Sequence, residues 1–230
     1  GDGSGKIMFP KVCNNIFGGF SSLIYINGFE LFDTSESTDL SSIFYGDGNL
    51  INVNLSKLDT RNATSISSMF YDCSNLPELN LTTFNTSKVV DMSYMFHGCK
   101  RLTILDLSNF DTSNVGTMTY MFSACFKLTN LDTSSFITSK VKSMNGMFYS
   151  CRILTTLDLR NFDTSNVTTM STMFSSCQKL TTLDLSSFDT SIVTNMSNMF
   201  NDCSELKSLD LKNFNTSNVT SMYRMFYGCK

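Results

Sequence analysis

Residues 180–203 read LTTLDLSSFDTSIVTNMSNMFNDC, and closely similar phrases recur along the chain at intervals of 26 residues. A cysteine closes each copy, at Cys73, Cys99, Cys125, Cys151, Cys177, Cys203 and Cys229. A repeat this short cannot bury its own apolar residues, so successive copies must stack into a solenoid.

The two halves of the repeat have different periodicities. The leucines of residues 154–159 have the spacing of a short strand with Asp158 facing outward. Residues 163–166 offer side-chain oxygens that suit a helix cap, and apolar residues follow at near-helical spacing over residues 167–174. The 26-residue period leaves no room for a long helix, and β-branched residues disfavour one. We predict an α/β solenoid with one short parallel strand and one short helical or 3₁₀ turn per coil.

The register of the repeat predicts how the chain is divided. Residues 1–6 are interpreted as a linker or cloning remnant, residues 7–29 as an N-terminal cap, and residues 30–230 as a single solenoid of about seven to eight coils. The first coil is blurred because Asp47 stands where a cysteine is expected. Lys230 lies one residue past a repeat cysteine, so we expect an uncapped C-terminal end, as in a piece of a longer array.

The composition argues against several classes of partner. Charged residues make up 16% of the chain, against roughly 25% in average proteins. The net charge of −3 and the lack of any Lys/Arg run give no electrostatic footprint for nucleic acid or anionic membrane. No apolar stretch approaches the roughly 20 residues of a spanning helix, so direct membrane insertion is not expected. The oligomeric state is left open.

The cysteine and methionine columns are best explained as core. Equivalent positions on stacked coils lie about 4.8 Å apart, so no cysteine pairing is favoured, and free cysteines are readily buried. Disulfides between adjacent coils or a thiol-bound metal are the alternatives. Zinc-site spacing is absent and His97 is the sole histidine, so no metal or cofactor is predicted. The Met-x-x-Met-Phe column predicts a packed spine, since a copper site would need exposed, convergent sulfurs.

A polar column between the inward leucines is the candidate binding face. It contains Asn54, Asn80, Asp106, Asp132, Asp158, Asp184 and Asp210, with Arg160 and Lys212 beside it. Stacked carboxylates repel one another unless they are screened, hydrogen-bonded or bridged by cations. The face is interpreted either as a solvated strand surface or as a platform for a protein or glycan. Calcium is a weaker option because its sites need six to eight oxygens.

A second Asx column lies at the corner between the two halves of the repeat. It contains Asp59, Asn85, Asp111, Asp163, Asp189 and Asn215. We expect these side chains to bond the backbone two residues ahead, without a ligand. Five tyrosines on the helical half are aromatic candidates for an interface: Tyr94, Tyr120, Tyr149, Tyr223 and Tyr227.

Catalysis finds little support in this sequence. With one histidine, a Ser-His or Cys-His arrangement would need partners from distant coils, and no local motif marks them. Carboxylate pairs that recur on every coil indicate a structural role in the repeat and not a single active site. We therefore predict no enzyme and no catalytic residues.

The repeat resembles the 26-residue unit of BspA-like leucine-rich-repeat surface proteins, from about Phe29 to Lys230. The matching phrase is Leu180-x-x-Leu-Asp-Leu-Ser-Ser-Phe-Asp-Thr-Ser-x-Val-x-x-Met-x-x-Met-Phe-x-x-Cys203. The resemblance implies a leucine-rich-repeat solenoid that is displayed on the cell surface or secreted, in a family associated with adhesion to host proteins such as fibronectin and with aggregation between cells. Departures occur at Asp47 and at Thr133, which replaces an inward leucine.

The resulting hypothesis is a non-enzymatic cell-surface module for protein–protein interaction, as in an adhesin fragment. Its expected partner is a host extracellular or cell-surface protein, or a protein of a neighbouring cell. A structural stalk that spaces another domain from the cell and a glycan-binding module are the alternatives.

Overall fold

The computed structural model describes residues 5–230, so residues 1–4 of the predicted linker lie outside it. Its named strands are each two residues long: β1 Ile7–Met8, β2 Tyr25–Ile26, β3 Phe32–Asp33 and β4 Asn52–Val53. β1 pairs in parallel with β3, and β2 pairs in parallel with β4. A 3₁₀ helix spans Phe29–Leu31. No helix among the described residues is long and apolar enough to cross a membrane.

A single parallel bridge per coil joins the rest of the molecule. Each bridged residue pairs with its equivalent on the next coil. In order along the chain, these residues are Val12, Asp39, Ser65, Asp91, Thr117, Ser143, Thr169, Asn195 and Ser221. From Asp39 onward each bridge joins residues 26 positions apart, as the repeat period requires. The predicted leucine-rich-repeat solenoid is confirmed.

The bonds between coils lie mainly on the methionine half of the repeat. The amides of Tyr94, Phe96 and Gly98 donate to carbonyls of the next coil at 2.8–2.9 Å. On the leucine half, the amide of Thr129 donates to the Thr103 carbonyl at 3.4 Å, and residues 154–159 are not assigned as a strand. The leucine spacing therefore predicted the buried side chains correctly, but the strand predicted at these leucines is absent. The spacing of apolar residues indicates which side chains are buried and not which backbone amides are hydrogen-bonded.

The predicted short helical or 3₁₀ turn takes the form of single tight turns and not of a continuous helix. The amide of His97 donates to the Tyr94 carbonyl at 3.0 Å, which is the i to i+3 spacing of a 3₁₀ turn. However, Tyr94 has φ 58° and Gly98 has φ 72°, and a left-handed residue ends a right-handed helix. The chain thus turns repeatedly while every second amide on this half points to the next coil.

The core consists of stacked columns that run along the solenoid. Phenylalanine rings from Phe44 to Phe226 stack on one another with centroids 5.5–5.9 Å apart. The methionines from Met92 to Met199 are fully buried. Each repeat cysteine is a free thiol, and that of Cys99 donates to the Phe70 carbonyl at 3.2 Å. The predicted buried spines are confirmed as far as Cys203, whereas Met222 and Phe226 on the last coil are 43% and 47% exposed.

Residues 7–29 follow the same path as the coils after them. The Phe17 ring stacks on Phe44 with centroids 6.0 Å apart, and the Phe17 amide donates to the Ile43 carbonyl at 3.0 Å. Asp47 replaces the repeat cysteine as a buried carboxylate, and its Oδ1 accepts the Phe20 amide at 2.9 Å. The assignment of this segment as a cap stays a prediction.

A buried threonine column, which was not among the sequence-based expectations, links the coils. Each hydroxyl donates to a carbonyl of the next coil at 2.8–3.0 Å. The column contains Thr34, Thr60, Thr86, Thr112, Thr138, Thr164 and Thr190, all at most 1% exposed. The recurrent Phe-x-Thr spacing, with Leu58 in place of the phenylalanine in one coil, was the available signal, since a polar residue fixed at a core position needs a hydrogen-bond partner.

Candidate binding face

The acidic face comprises Asn54, Asn80, Asp106, Asp132, Asp158, Asp184 and Asp210, together with Arg160 and Lys212. All nine residues are exposed. Buried neighbours anchor Asp106, since Leu105 and Leu107 on either side of it are buried. The structure therefore presents the predicted column on one surface, with one Asx residue per coil.

Each Asx side chain of the acidic face closes a local turn. The Oδ1 atom accepts the amide two residues ahead at 2.9–3.2 Å in every coil from Asn54 to Asp210. For Asp106, the hydrogen bond from the Ser108 amide lowers the pKa of the carboxyl. A structural role thus accounts for part of the column.

Two of the five aspartates are neutralised by a neighbour on the same coil. Arg160 binds Asp158 through two contacts, Nη2 to Oδ2 at 2.6 Å and Nε to Oδ1 at 2.9 Å. Hydrogen bonds from Arg160 lower the pKa of Asp158 to about 2. Lys212 Nζ lies 3.0 Å from Asp210 Oδ2. Within residues 5–230, the remaining three carboxylates of this face make no ion pair: Asp106, Asp132 and Asp184.

Shallow depressions follow the acidic face between coils. One of about 470 Å³ is lined by Asp132, Asp158 and Asp184 with threonines between them. Ile104, two residues before Asp106, is 70% exposed. The face therefore combines charge, hydroxyls and an apolar contact. Thr133 is buried beneath it and donates to the Asp158 carbonyl at 2.7 Å, which explains how a core leucine is replaced without an unpaired hydroxyl.

The second Asx column has the role that the sequence predicts. Its Oδ1 atoms accept the amide two residues ahead at 2.8–3.1 Å in all six coils. The Asx-turn prediction for this column is confirmed, and the column needs no ligand.

The tyrosines lie on the methionine side and away from the acidic face. Tyr94 and Tyr120 stack with centroids 5.2 Å apart and are half-buried, whereas Tyr223 and Tyr227 are 61% and 60% exposed.

His97 stacks on Tyr71 with ring centroids 4.5 Å apart, and burial lowers the pKa of its imidazole. Among residues 5–230, no group of three His, Cys, Asp or Glu side chains is placed to hold a metal ion.

A family model covers nearly all of the sequence. Residues 11–104, 77–157 and 152–230 each match the model described as "Mycoplasma protein of unknown function, DUF285". The chain belongs to the DUF285 family. With the coil geometry, this places the DUF285 chain among the leucine-rich-repeat proteins of the BspA-like kind, as its repeat indicates. No curated protein matches it significantly.

Several solved leucine-rich-repeat proteins are similar to this DUF285 chain. A leucine-rich cell-surface protein of Faecalibacterium prausnitzii is 22% identical with a TM-score of 0.49, covering 95% of this chain and 48% of that one. A leucine-rich-repeat protein of Bacteroides ovatus is 18% identical with a TM-score of 0.36, covering 64% and 41%. The functional domain of InlJ from Listeria monocytogenes, which includes a cysteine ladder, is 16% identical with a TM-score of 0.32, covering 90% and 56%. The DUF285 chain spans about half the length of these proteins.

Proposed function

We propose that this DUF285 chain is a non-enzymatic, extracellular or cell-surface module that binds a host or neighbouring-cell protein through the acidic face. The observation that carries the proposal is the set of unpaired carboxylates of Asp106, Asp132 and Asp184 on an exposed, rigidly anchored surface. The partner that suits them is a basic, extended segment of a protein.

The geometry favours an extended partner over a compact one. Each carboxylate lies on a coil of its own, and bridges between residues 26 positions apart stack the coils, so the carboxylates form a line along the solenoid. One exposed ion pair contributes only about 0–1 kcal/mol, so binding must draw on several carboxylates at once. The exposed Ile104 side chain supplies apolar area at one end of this line.

The test is surface binding of the chain to immobilised extracellular-matrix proteins, with a triple variant Asp106→Asn, Asp132→Asn and Asp184→Asn. Asparagine keeps the Oδ1 acceptor of the Asx turn, and Asn54 and Asn80 already make this turn in the native chain. The variant therefore removes charge while preserving the coil. A matched control carries Asp111→Asn, Asp163→Asn and Asp189→Asn in the second Asx column.

Saturable binding that is lost in the acidic-face variant and kept in the control supports the proposal. Equal loss in both variants would mean that net charge, and not this face, governs binding. If neither native chain nor variants bind any protein of the panel while remaining folded, the acidic face is a solvated surface and the proposal fails.

A rigid spacer is the second candidate function. The observation in its favour is the identical pattern of bonds between coils, in which turn amides, buried threonines and stacked rings all link each coil to the next. A spacer predicts full tolerance of the acidic-face substitutions. Glycan binding at the acidic face has less support, because the tyrosine stacks lie on the opposite half of the coil.

A further inference from the structure

A turn follows six of the seven repeat cysteines, and its two central residues are exposed or half-buried. The amide of Leu102 donates to the Cys99 carbonyl at 3.2 Å, and Leu128 donates to Cys125 in the same way at 3.2 Å. The central residues of four successive turns define what we call the basic stripe: Lys100, Arg101, Phe126, Lys127, Arg152, Ile153, Gln178 and Lys179. Five of these eight residues are cations.

The stacking register aligns these turns along the solenoid. The Thr129 amide bonds the Thr103 carbonyl, 26 residues earlier, and the Ser204 hydroxyl donates to the Gln178 carbonyl, again 26 residues earlier. Equivalent turn positions are thus direct neighbours, about 4.8 Å apart. Cations of four successive coils, which are well separated in the sequence, therefore lie along one side of the solenoid.

The charges of the basic stripe are mostly uncompensated. Lys100, Arg101 and Lys127 are exposed, and none of them makes an ion pair within residues 5–230. Lys179 pairs with Glu205 at the end of the stripe. Arg152 lies over the Phe126 ring, 4.2 Å from its centroid. Although the net charge of the chain is −3, the basic stripe is therefore a positively charged surface distinct from the acidic face.

We propose that the basic stripe binds an acidic polysaccharide, a linear sugar chain that bears sulfate or carboxylate groups. A linear polyanion matches a line of cations with about one per coil, and the exposed Gln178, Thr103 and Thr129 side chains beside it suit sugar hydroxyls. This inference is independent of the acidic face.

Two other polyanions fit this surface less well. Single-stranded nucleic acid is held by aromatic faces on which bases stack, and Arg152 already covers the Phe126 face. Extended peptides are recognised through a free strand edge, and acidic motifs through clusters of arginines, of which the stripe has two, Arg101 and Arg152. The turns of the stripe offer no strand edge, since the amides of Leu102 and Leu128 are bonded within their own turns.

The experiment measures binding of the whole 230-residue chain to heparin oligosaccharides as the sulfated probe and oligogalacturonate as the carboxylated probe, with dextran as the uncharged control. The stripe variant carries Lys100→Gln, Arg101→Gln and Lys127→Gln. The matched variant carries Lys88→Gln, Lys140→Gln and Lys142→Gln, three exposed lysines elsewhere on the coils. In that set, Lys88 and Lys140 donate to Asn62 and Asn114. Both variants remove three positive charges.

We expect the stripe variant to bind at least one acidic probe about tenfold more weakly than the native chain does. The affinity of the matched variant should remain within about twofold of the native value. The affinity of the native chain for the probe should fall as the salt concentration rises. The probe that binds more tightly identifies the anionic group. Equal weakening in both variants, tighter binding of oligothymidylate or polyglutamate, or no binding of either acidic probe would overturn the proposal. The acidic-face variant should bind the probes undiminished, which separates this result from the protein-binding test.

Discussion

The buried hydroxyl of Thr164 is bonded to both backbone groups of Asp189 in the next coil. It donates to the Asp189 carbonyl at 2.8 Å and accepts the Asp189 amide at 2.8 Å. Thr164 itself is fully buried. One side chain therefore satisfies two backbone groups of the neighbouring coil, and the same residue type does so along the solenoid.

Thr164→Val should destabilise the chain by about 1–3 kcal/mol, because it leaves a buried amide and carbonyl without partners while preserving side-chain volume. Chemical denaturation followed by circular dichroism measures the loss. Thr164→Ser keeps the hydroxyl and should lose less. Thr168→Val, at an exposed threonine of the same coil, should change the unfolding midpoint little, and a loss there equal to that of Thr164→Val would contradict the argument.

Gly146→Ala should destabilise the chain through two effects. Gly146 has φ 56°, where a Cβ costs roughly 1–2 kcal/mol. A Cβ there would also lie 2.1 Å from Cε1 of Tyr120, so the ring must move. The measurement is the free energy of unfolding of Gly146→Ala alone and in a Tyr120→Ser background. The substitution should cost less in that background, and an identical cost in both would show that the ring contact is unimportant.

Asp47 should make the stability of the chain depend on pH near 6. Burial raises the pKa of its carboxyl to about 6 in the folded chain, above an ordinary value of about 3.9. The folded chain therefore binds the proton more tightly than the unfolded chain, and stability from this group rises as pH falls from 7 through 6 toward 4.

Comparison with Asp47→Asn isolates this contribution from that of carboxylates such as Asp106 and Asp158, whose lowered pKa values act in the opposite direction. The native chain should gain roughly 2 kcal/mol on the variant between pH 7.5 and 4.5. Urea unfolding at several pH values measures the difference. A difference that stays constant across this range would mean that Asp47 is not perturbed.

Thiol reagents should modify Cys229 before any other cysteine of the native chain. Cys229 is half-buried, whereas the six repeat cysteines before it are fully buried. Burial raises the pKa of Cys125 to about 12, so almost no reactive thiolate forms there at pH 8. Mass spectrometry after brief alkylation reads out the order. Modification of Cys125 at the rate of Cys229 without denaturant would refute the buried column.

Parts of the candidate site were predictable, since the position of Asp106 between two inward leucines placed it on the outside. The neutralisation of Asp158 by Arg160 was also foreseeable, because the two residues are neighbours on one coil. The sequence analysis predicted Asx turns at the second Asx column but not at the aspartates of the acidic face. Position alone does not distinguish a free carboxylate from one that bonds its own backbone.

The sequence by itself determined the solenoid, its 26-residue period and its core columns, because a short repeat can bury apolar residues such as Phe96 and Met121 only against its neighbours. Tertiary structure alone decided which backbone groups pair and which distant side chains meet. A tyrosine such as Tyr94 does not by itself indicate a left-handed backbone conformation. The spacing of apolar residues therefore could not show that the methionine half of the coil carries most hydrogen bonds between coils. Arg101 and Lys127 lie 26 residues apart in the sequence and become neighbours through stacking, because equivalent positions of successive coils lie side by side.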